Sequence, residues 1–170
     1  MAALIVYYSR KGETYWAGEI KVLTKGNTER VAEFVAEATG GDLFEIRTVR
    51  DYSEDHMECI EEAKEELQAN ARPELVEYPE SLDAYDTIFV GYPNWWGTCP
   101  MCVFAFLEHF DLTGKRIIPF CTNEGSGMGE SERDLKNVCK GATVEKGLSV
   151  IGNRAADSHD KVVAWAKGLA

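Results

Sequence analysis

Two short stretches of this chain carry the residue types that hold an oxyanion. Ser9 ends an apolar run, Leu4-Ile5-Val6-Tyr7-Tyr8, and Gly26-Asn27-Thr28 opens an amphipathic helix. The first backbone N–H groups of a helix have no partner inside it, and the helix dipole adds partial positive charge there. A phosphate at that spot meets those amides together with the rotatable hydroxyls of Ser9 and Thr28. Two more loops have the right composition for a ligand. Pro93-Asn94-Trp95-Trp96-Gly97 sets adjacent indoles in a polar loop. Thr122-Asn123-Glu124-Gly125-Ser126-Gly127 is small and polar, and flexible enough to bring backbone amides close to a ligand. A phosphate site, a flat aromatic platform and a set of amides together suit a mononucleotide with a planar ring system.

Those loops need elements to position them. The apolar run at residues 4–8 has no polar alternation, as expected of a central strand covered on both faces. Val31, Ala32, Phe34, Val35 and Ala38 recur at helical spacing after Thr28, and Gly40-Gly41 closes that helix. Residues 43–46 predict a second strand. Ser53 starts a second helix with Met57, Ile60, Ala63 and Leu67 as its buried stripe and seven acidic residues opposite. Residues 87–91 are a third strand, and Val103, Phe104, Phe106, Leu107 and Phe110 line the helix after it. Residues 115–120 are a fourth strand. Ser131-Glu132-Arg133-Asp134 resembles a capping box before another helix. Residues 143–151 hold a fifth strand, and Asp157 or Ser158 caps a last helix. Strand and helix alternate throughout, which predicts a single α/β domain over residues 1–170, with a parallel sheet between two helical layers. In such sheets the ligand lies beyond the carboxyl ends of the strands, where all three candidate loops fall.

Residues 10–25 interrupt this order. Glu19-Ile20-Lys21-Val22 alternates like a strand, so a small hairpin or a long loop is expected. Loops of that length inside compact domains are usually functional.

The bulk composition narrows the function. The chain has 170 residues, 45% of them hydrophobic, which suits one globular domain. Its formal net charge is -11, from 29 acidic and 18 basic residues. That surface repels nucleic acid and anionic membranes and favours basic protein partners. No apolar run is long enough to span a bilayer, and no secretory signal is apparent. The five cysteines are an odd number, and together these features predict a cytoplasmic protein.

Competing readings of single motifs are weaker. Gly125-Ser126-Gly127-Met128-Gly129 could pass for a dinucleotide fingerprint, but that motif follows the first strand and has a different spacing. Cys99-Pro100-Met101-Cys102 is a C-x-x-C at a helix start, where thiolates are stabilised. The chain lacks the element order of a thioredoxin, so core packing is the favoured reading. His56, His109 and His159 have no partner at metal-ligand spacing, and no metal site is expected.

In Tyr8-Ser9 with Gly26-Asn27-Thr28, in Gly91-Tyr92-Pro93 with Trp95-Trp96-Gly97, and in Pro119-Phe120-Cys121-Thr122 with Glu124-Gly125-Ser126-Gly127, the chain resembles the short-chain flavodoxins. These segments match that family's three flavin loops in order, over nearly the whole chain. The resemblance implies a flavodoxin-like fold with a five-stranded sheet in the order 2-1-3-4-5, FMN as cofactor, and one-electron transfer between redox proteins. It implies cofactor contacts from Ser9, Arg10, Gly26, Asn27, Thr28, Pro93, Asn94, Trp95, Trp96, Gly97, Thr122, Asn123, Glu124, Gly125, Ser126 and Gly127. Trp95 or Trp96 would cover one face of the isoalloxazine, and backbone amides of Gly97 and residues 124–127 would meet its polar edge. A crowded acidic and aromatic site would lower the cofactor's potential. An FMN-dependent NAD(P)H reductase of quinones or similar acceptors is the alternative on the same fold. The chain departs from the family at the first loop. Ser9-Arg10-Lys11-Gly12-Glu13-Thr14 has the uninterrupted family spacing, yet Glu13 replaces an Asn there, and the residues after Thr14 make a poor helix. The helix side of the loop is therefore assigned to Gly26-Asn27-Thr28, with residues 10–25 as an insertion. Arg10 and Lys25 are available to add positive charge.

Overall fold

A computed structural model describes residues 2–169. Strand β1 (Ala2–Tyr7) is an interior strand of the main sheet. On one side it pairs in parallel with β4 (Asp42–Glu45), on the other with β5 (Tyr85–Pro93). Beyond β5 come β6 (Arg116–Asn123) and then the two short strands β7 (Thr143–Val144) and β8 (Leu148–Ile151). Both short strands pair in parallel with β6, so the expected fifth strand exists in two pieces. The spatial order is the predicted 2-1-3-4-5. Glu145, Lys146 and Gly147 carry the chain between the two pieces. A side chain on Gly147 would meet the Pro119 carbonyl at 2.7 Å, so the chain runs hard against β6 there.

Each face of the sheet has its own core. Ile5, Tyr7, Phe89, Ile118 and Phe120 point to α1 (Asn27–Thr39) and α5 (His159–Leu169). Leu4, Val6, Ile88, Val90, Tyr92 and Ile117 point to the other side, against α3 (Met101–Glu108) and Leu135 of α4 (Ser131–Val138). Strands buried on both faces explain the unbroken apolar runs in the sequence. Burying one such side chain contributes roughly 1.5–3 kcal/mol.

Residues 10–25 form the antiparallel pair β2 (Gly12–Trp16) and β3 (Glu19–Leu23), separate from the main sheet. Ala17 and Gly18 join them with φ of 49° and 89°, the two-residue turn whose twist suits a hairpin. The hairpin leans on α2 (His56–Gln68). Glu13 accepts the His56 backbone N–H at 2.8 Å, and the Tyr15 ring stacks on His56 with centroids 6.1 Å apart.

Two helix starts differ from expectation. Asp55, not Ser53, caps α2: its carboxylate accepts the Glu58 N–H, while Ser53 bonds the Glu58 side chain. The stripe turned inward is consequently His56, Cys59, Ile60 and Ala63, and Met57 stands in solvent, 62% exposed. Ser131 does not close a capping box either. Its hydroxyl donates to the Met128 carbonyl and accepts from the buried Tyr92 hydroxyl at 2.8 Å. That buried phenol has the stronger claim on it, because an unpaired buried hydroxyl costs more than a lost cap at a helix end.

Candidate functional site

A cavity of about 400 Å³ opens at the carboxyl edge of the sheet, where β1, β5 and β6 end. Three loops, a helix, the hairpin and Gly152 enclose it. The β1 loop and the start of α1 supply Arg10, Asn27 and Thr28. The β5 loop supplies Pro93, Asn94, Trp95 and Trp96. The β6 loop supplies Thr122, Asn123, Glu124 and Ser126. Helix α2 adds His56, Cys59, Ile60 and Ala63, the hairpin adds Thr14 and Tyr15, and Gly152 closes the far end.

Ser9 and Gly26 stand behind the lining and build the α1 end. The Ser9 hydroxyl accepts the Glu29 N–H at 3.0 Å, so it caps the helix from another segment and keeps its own proton to donate. Gly26 precedes the helix with an ordinary φ of -68°, and its lack of a side chain is what matters. A Cβ there would lie 2.1 Å from Ser9 Oγ and 2.5 Å from the Arg10 carbonyl oxygen. Among the described residues, the amides of Asn27 and Thr28 have no hydrogen-bond partner. Two free amides, a hydroxyl proton and a side-chain-free cradle at a helix N-terminus fit a phosphate. Lys25 pairs with Glu33 instead of facing this point.

The three loops are laced together. Thr28 and Thr122 share a buried hydrogen bond of 2.7 Å between hydroxyls, linking the first loop to the third. Asn94 Nδ2 donates to the Gly127 carbonyl at 2.9 Å, linking the second to the third. The two Asn residues also take up the glycine amides. Gly97 N–H donates to Asn94 Oδ1, and the N–H groups of Gly125 and Gly127 both donate to Asn123 Oδ1. Gly97, Gly125 and Gly127 thus shape their loops from behind the cavity wall, and their amides already have partners. One oxygen of Glu124 accepts from Asn153 Nδ2, and the other is buried without a partner.

The adjacent indoles divide their work. Trp95 is half-buried, edge-on to Tyr8 and Tyr52 at 5.3 and 4.9 Å. Trp96 is 49% exposed. It sits with Gly97 at the tip of a two-residue turn closed by mutual Trp95 and Thr98 backbone bonds. Its φ of 58° is a conformation that bulky residues avoid. The Trp96 Nε1–H donates to the Ile60 carbonyl at 2.9 Å, and Lys64 lies 5.5 Å from the ring centre. A strained residue held by specific bonds points to function at that site. The indole is thereby fixed between the β5 loop and α2, at the cavity wall.

The sequence reading missed His56, Cys59, Ile60, Ala63, Thr14, Tyr15 and Gly152. On α2 the expected stripe held at Ile60, Ala63 and Leu67 and failed at Met57, where His56 and Cys59 turn inward instead. The hairpin residues and Gly152 carried no local signal.

Burial settles the C-x-x-C pair. Cys99 and Cys102 are fully buried and free, and burial pushes both thiols far above their ordinary pKa. Cys59, at the cavity wall, is pushed up to about 11 by burial, against the pull of Arg10. Thiols of that kind are poor nucleophiles. In the native protein at neutral pH, Cys99 and Cys102 should resist iodoacetamide and react only after unfolding. Fast native labelling, read by peptide mass, would contradict this packing.

A family model described as flavodoxin matches residues 21–169. The chain belongs to the flavodoxin family. Among solved structures, this flavodoxin is similar to a protein of Bacteroides uniformis assigned as a flavoprotein. Identity is 30%, coverage is 98% of this chain and 97% of the other, and the TM-score is 0.79. A flavoprotein of Lactobacillus acidophilus, solved in complex with FMN, is 20% identical with a TM-score of 0.66, covering 94% and 98% of the two chains. Oxidised flavodoxin 1 of Bacillus cereus is 16% identical with a TM-score of 0.53, covering 98% and 95%. At these lower identities the likeness is one of fold. Comparison with curated proteins finds no match. Among the described residues, no helix is long and apolar enough to cross a membrane.

Proposed function

We propose that this flavodoxin binds FMN in the cavity and carries electrons between redox proteins. The observation that carries the reading is the pairing within one cavity of a phosphate-ready helix N-terminus with an indole-walled slot. The phosphate belongs at the amides of Asn27 and Thr28 with the Ser9 hydroxyl. The ring belongs between the Trp96 side and the β6 loop, where Asn94, Asn123, Glu124 and Ser126 are the polar neighbours. Pro93 and Trp95 form the floor beside it, and Thr122 holds Thr28 in place. Gly26, Gly97, Gly125 and Gly127 act by giving these loops their shape. Bound there, FMN supplies the redox chemistry, and the protein supplies binding and electrostatics.

The surface beside the cavity supports a carrier's role. Tyr15 and Trp96 are exposed aromatic residues at the cavity wall, and Glu58, Glu61 and Glu65 lie with exposed Met57 on the outer face of α2. An apolar centre with an acidic border suits a basic partner, whose approach that charge would steer. A second reading, direct reduction of the cofactor by NAD(P)H, draws on the hairpin, which makes part of the cavity wall through Thr14 and Tyr15.

Anaerobic titration of the FMN-loaded protein with NAD(P)H tests the choice. A carrier's flavin absorbance should stay unchanged until a reductase is added. Direct bleaching would establish the enzyme. The placement of the phosphate predicts that Thr28→Ala weakens FMN binding roughly tenfold, through the lost bond to Thr122 and a loosened loop. Thr14→Ala should change it less than threefold. The reverse ranking in a fluorescence titration would return the phosphate to the uninterrupted segment at residues 9–14.

A further inference from the structure

We propose that Glu124 binds the ribityl chain of FMN: its free carboxylate oxygen and the side-chain amide of Asn27 together hold one hydroxyl of that chain. This rests on the FMN reading and deepens it, by giving the cavity a contact that tells a polyhydroxyl linker from a plain one.

Among the described residues, Glu124 Oε1 is the one buried side-chain nitrogen or oxygen without a hydrogen-bond partner. A buried acceptor left unpaired costs free energy, more so when it belongs to a charged group. The neighbouring protein groups do not relieve it. Oε2 is tied to Asn153 Nδ2 at 2.6 Å, which holds the carboxylate in place. The Thr28 and Thr122 hydroxyls bond each other, and Asn123 is taken up by the Gly125 and Gly127 amides and by Ser149. Beside Glu124 the side chain of Asn27, also on the cavity wall, has no partner among the described residues. The two side chains meet in front of Gly152. A Cβ on Gly152 would lie 2.7 Å from Asn27 Nδ2 and 3.1 Å from Glu124 Oε1. The lack of a side chain there leaves a gap flanked by one donor and one acceptor. Oε1 stands at its edge, and a small turn about the soft terminal torsion of the carboxylate presents it to the gap.

The chemistry of that gap selects its occupant. A carboxylate oxygen only accepts, and the NH2 of an amide only donates. A phosphate dianion has no proton for Glu124, and a ring N–H has no lone pair for Asn27. A hydroxyl satisfies both at once. The position agrees with the chemistry. Glu124 stands beside the ring at the start of the β6 loop, and Asn27 carries one of the amides assigned to the phosphate. A carboxylate reaching from the first toward the second lies along the chain that joins ring to phosphate, and in FMN that chain is a row of secondary alcohols.

FMN analogues that each lack one ribityl hydroxyl are the probe. All keep the ring and the phosphate, so repulsion between the phosphate and Glu124 is the same for each. One analogue should bind wild type at least tenfold more weakly than FMN does, because its loss leaves a buried polar group unpaired. Glu124→Met, which removes both oxygens at similar length, should bind FMN and that analogue equally within twofold. Glu124→Gln, which keeps the shape of the side chain, should show a penalty at least threefold smaller than that of wild type. Equal wild-type affinity for FMN and every analogue overturns the inference and leaves the cofactor reading standing. An undiminished penalty in the two variants also overturns it, by placing the hydroxyl elsewhere and leaving Glu124 as a prop for the β6 loop. Failure of the wild type to bind FMN overturns the cofactor reading itself.

Discussion

Alanine at Gly26 is expected to weaken FMN binding more than a hundredfold and to destabilise the fold by about 1–3 kcal/mol. The new methyl would lie 2.1 Å from Ser9 Oγ, 2.5 Å from the Arg10 carbonyl oxygen and 3.0 Å from its carbon. Backbone conformation is not the obstacle, since φ of -68° and ψ of 155° are open to any residue. The obstacle is that neither neighbour can yield cheaply. Ser9 Oγ is held by the Glu29 amide, and the Arg10 carbonyl is main chain. Relief requires the β1 loop and the start of α1 to move apart, which separates the Ser9 hydroxyl from the free amides of Asn27 and Thr28. The phosphate site then no longer exists as a unit. Thermal unfolding should register about 2–4 °C for each kcal/mol in a chain of this size. Ser9→Ala combined with Gly26→Ala should restore part of the stability, because one of the two clashes disappears. It should not restore binding, because a phosphate donor disappears with it. Near-normal FMN affinity in Gly26→Ala would mean that the phosphate lies elsewhere.

The same junction shows how far the sequence could be read. The contact of Ser9 with Gly26-Asn27-Thr28 was legible because strand ends and helix starts have strong local chemistry, and a hairpin could be inserted between them without moving either. The hairpin itself was legible only in part. Alternation in Glu19-Ile20-Lys21-Val22 marked one strand, but the docking of Glu13 and Tyr15 on His56 is a contact between segments about forty residues apart. No periodicity encodes it. Met57 shows a different limit. An apolar residue next to a buried stripe reads as part of it, and at the first turn of α2 it is His56 that faces the cavity while Met57 stands in solvent. Ser131 shows a third. Its local pattern was a cap, but a buried phenol from a distant strand took the hydroxyl. Local chemistry placed the elements and the three loops. Competition among tertiary partners decided the lining of the cavity.

That competition also makes Gly91 an intolerant position, with no bearing on ligand contact. Gly91 lies on β5 directly beside Phe120 on β6, in register, and Phe120 belongs to the face covered by α1 and α5. A Cβ on Gly91 would lie 2.2 and 2.3 Å from Cε2 and Cζ of the Phe120 ring. The ring occupies the space that a side chain at this point of the strand would fill. Phe120 is fully buried, so it cannot swing into solvent, and displacing it opens a void on the far side. Gly91→Ala should therefore destabilise by about 3 kcal/mol, at the upper end for overpacking, because the clash is with a ring in the middle of a parallel sheet. Phe120→Leu alone should also destabilise, by about 1–2 kcal/mol, through lost apolar burial. The double variant should be more stable than Gly91→Ala, since the shorter side chain vacates the clash. The two effects are then strongly non-additive, with a coupling on the order of 1–3 kcal/mol, measurable by urea unfolding of the four proteins. Simple additivity would show that the sheet absorbs the methyl by shifting β5 against β6. Such a shift would also move Tyr92, Pro93 and the indole loop beyond them, so FMN affinity in Gly91→Ala reports on the same movement from the cavity side.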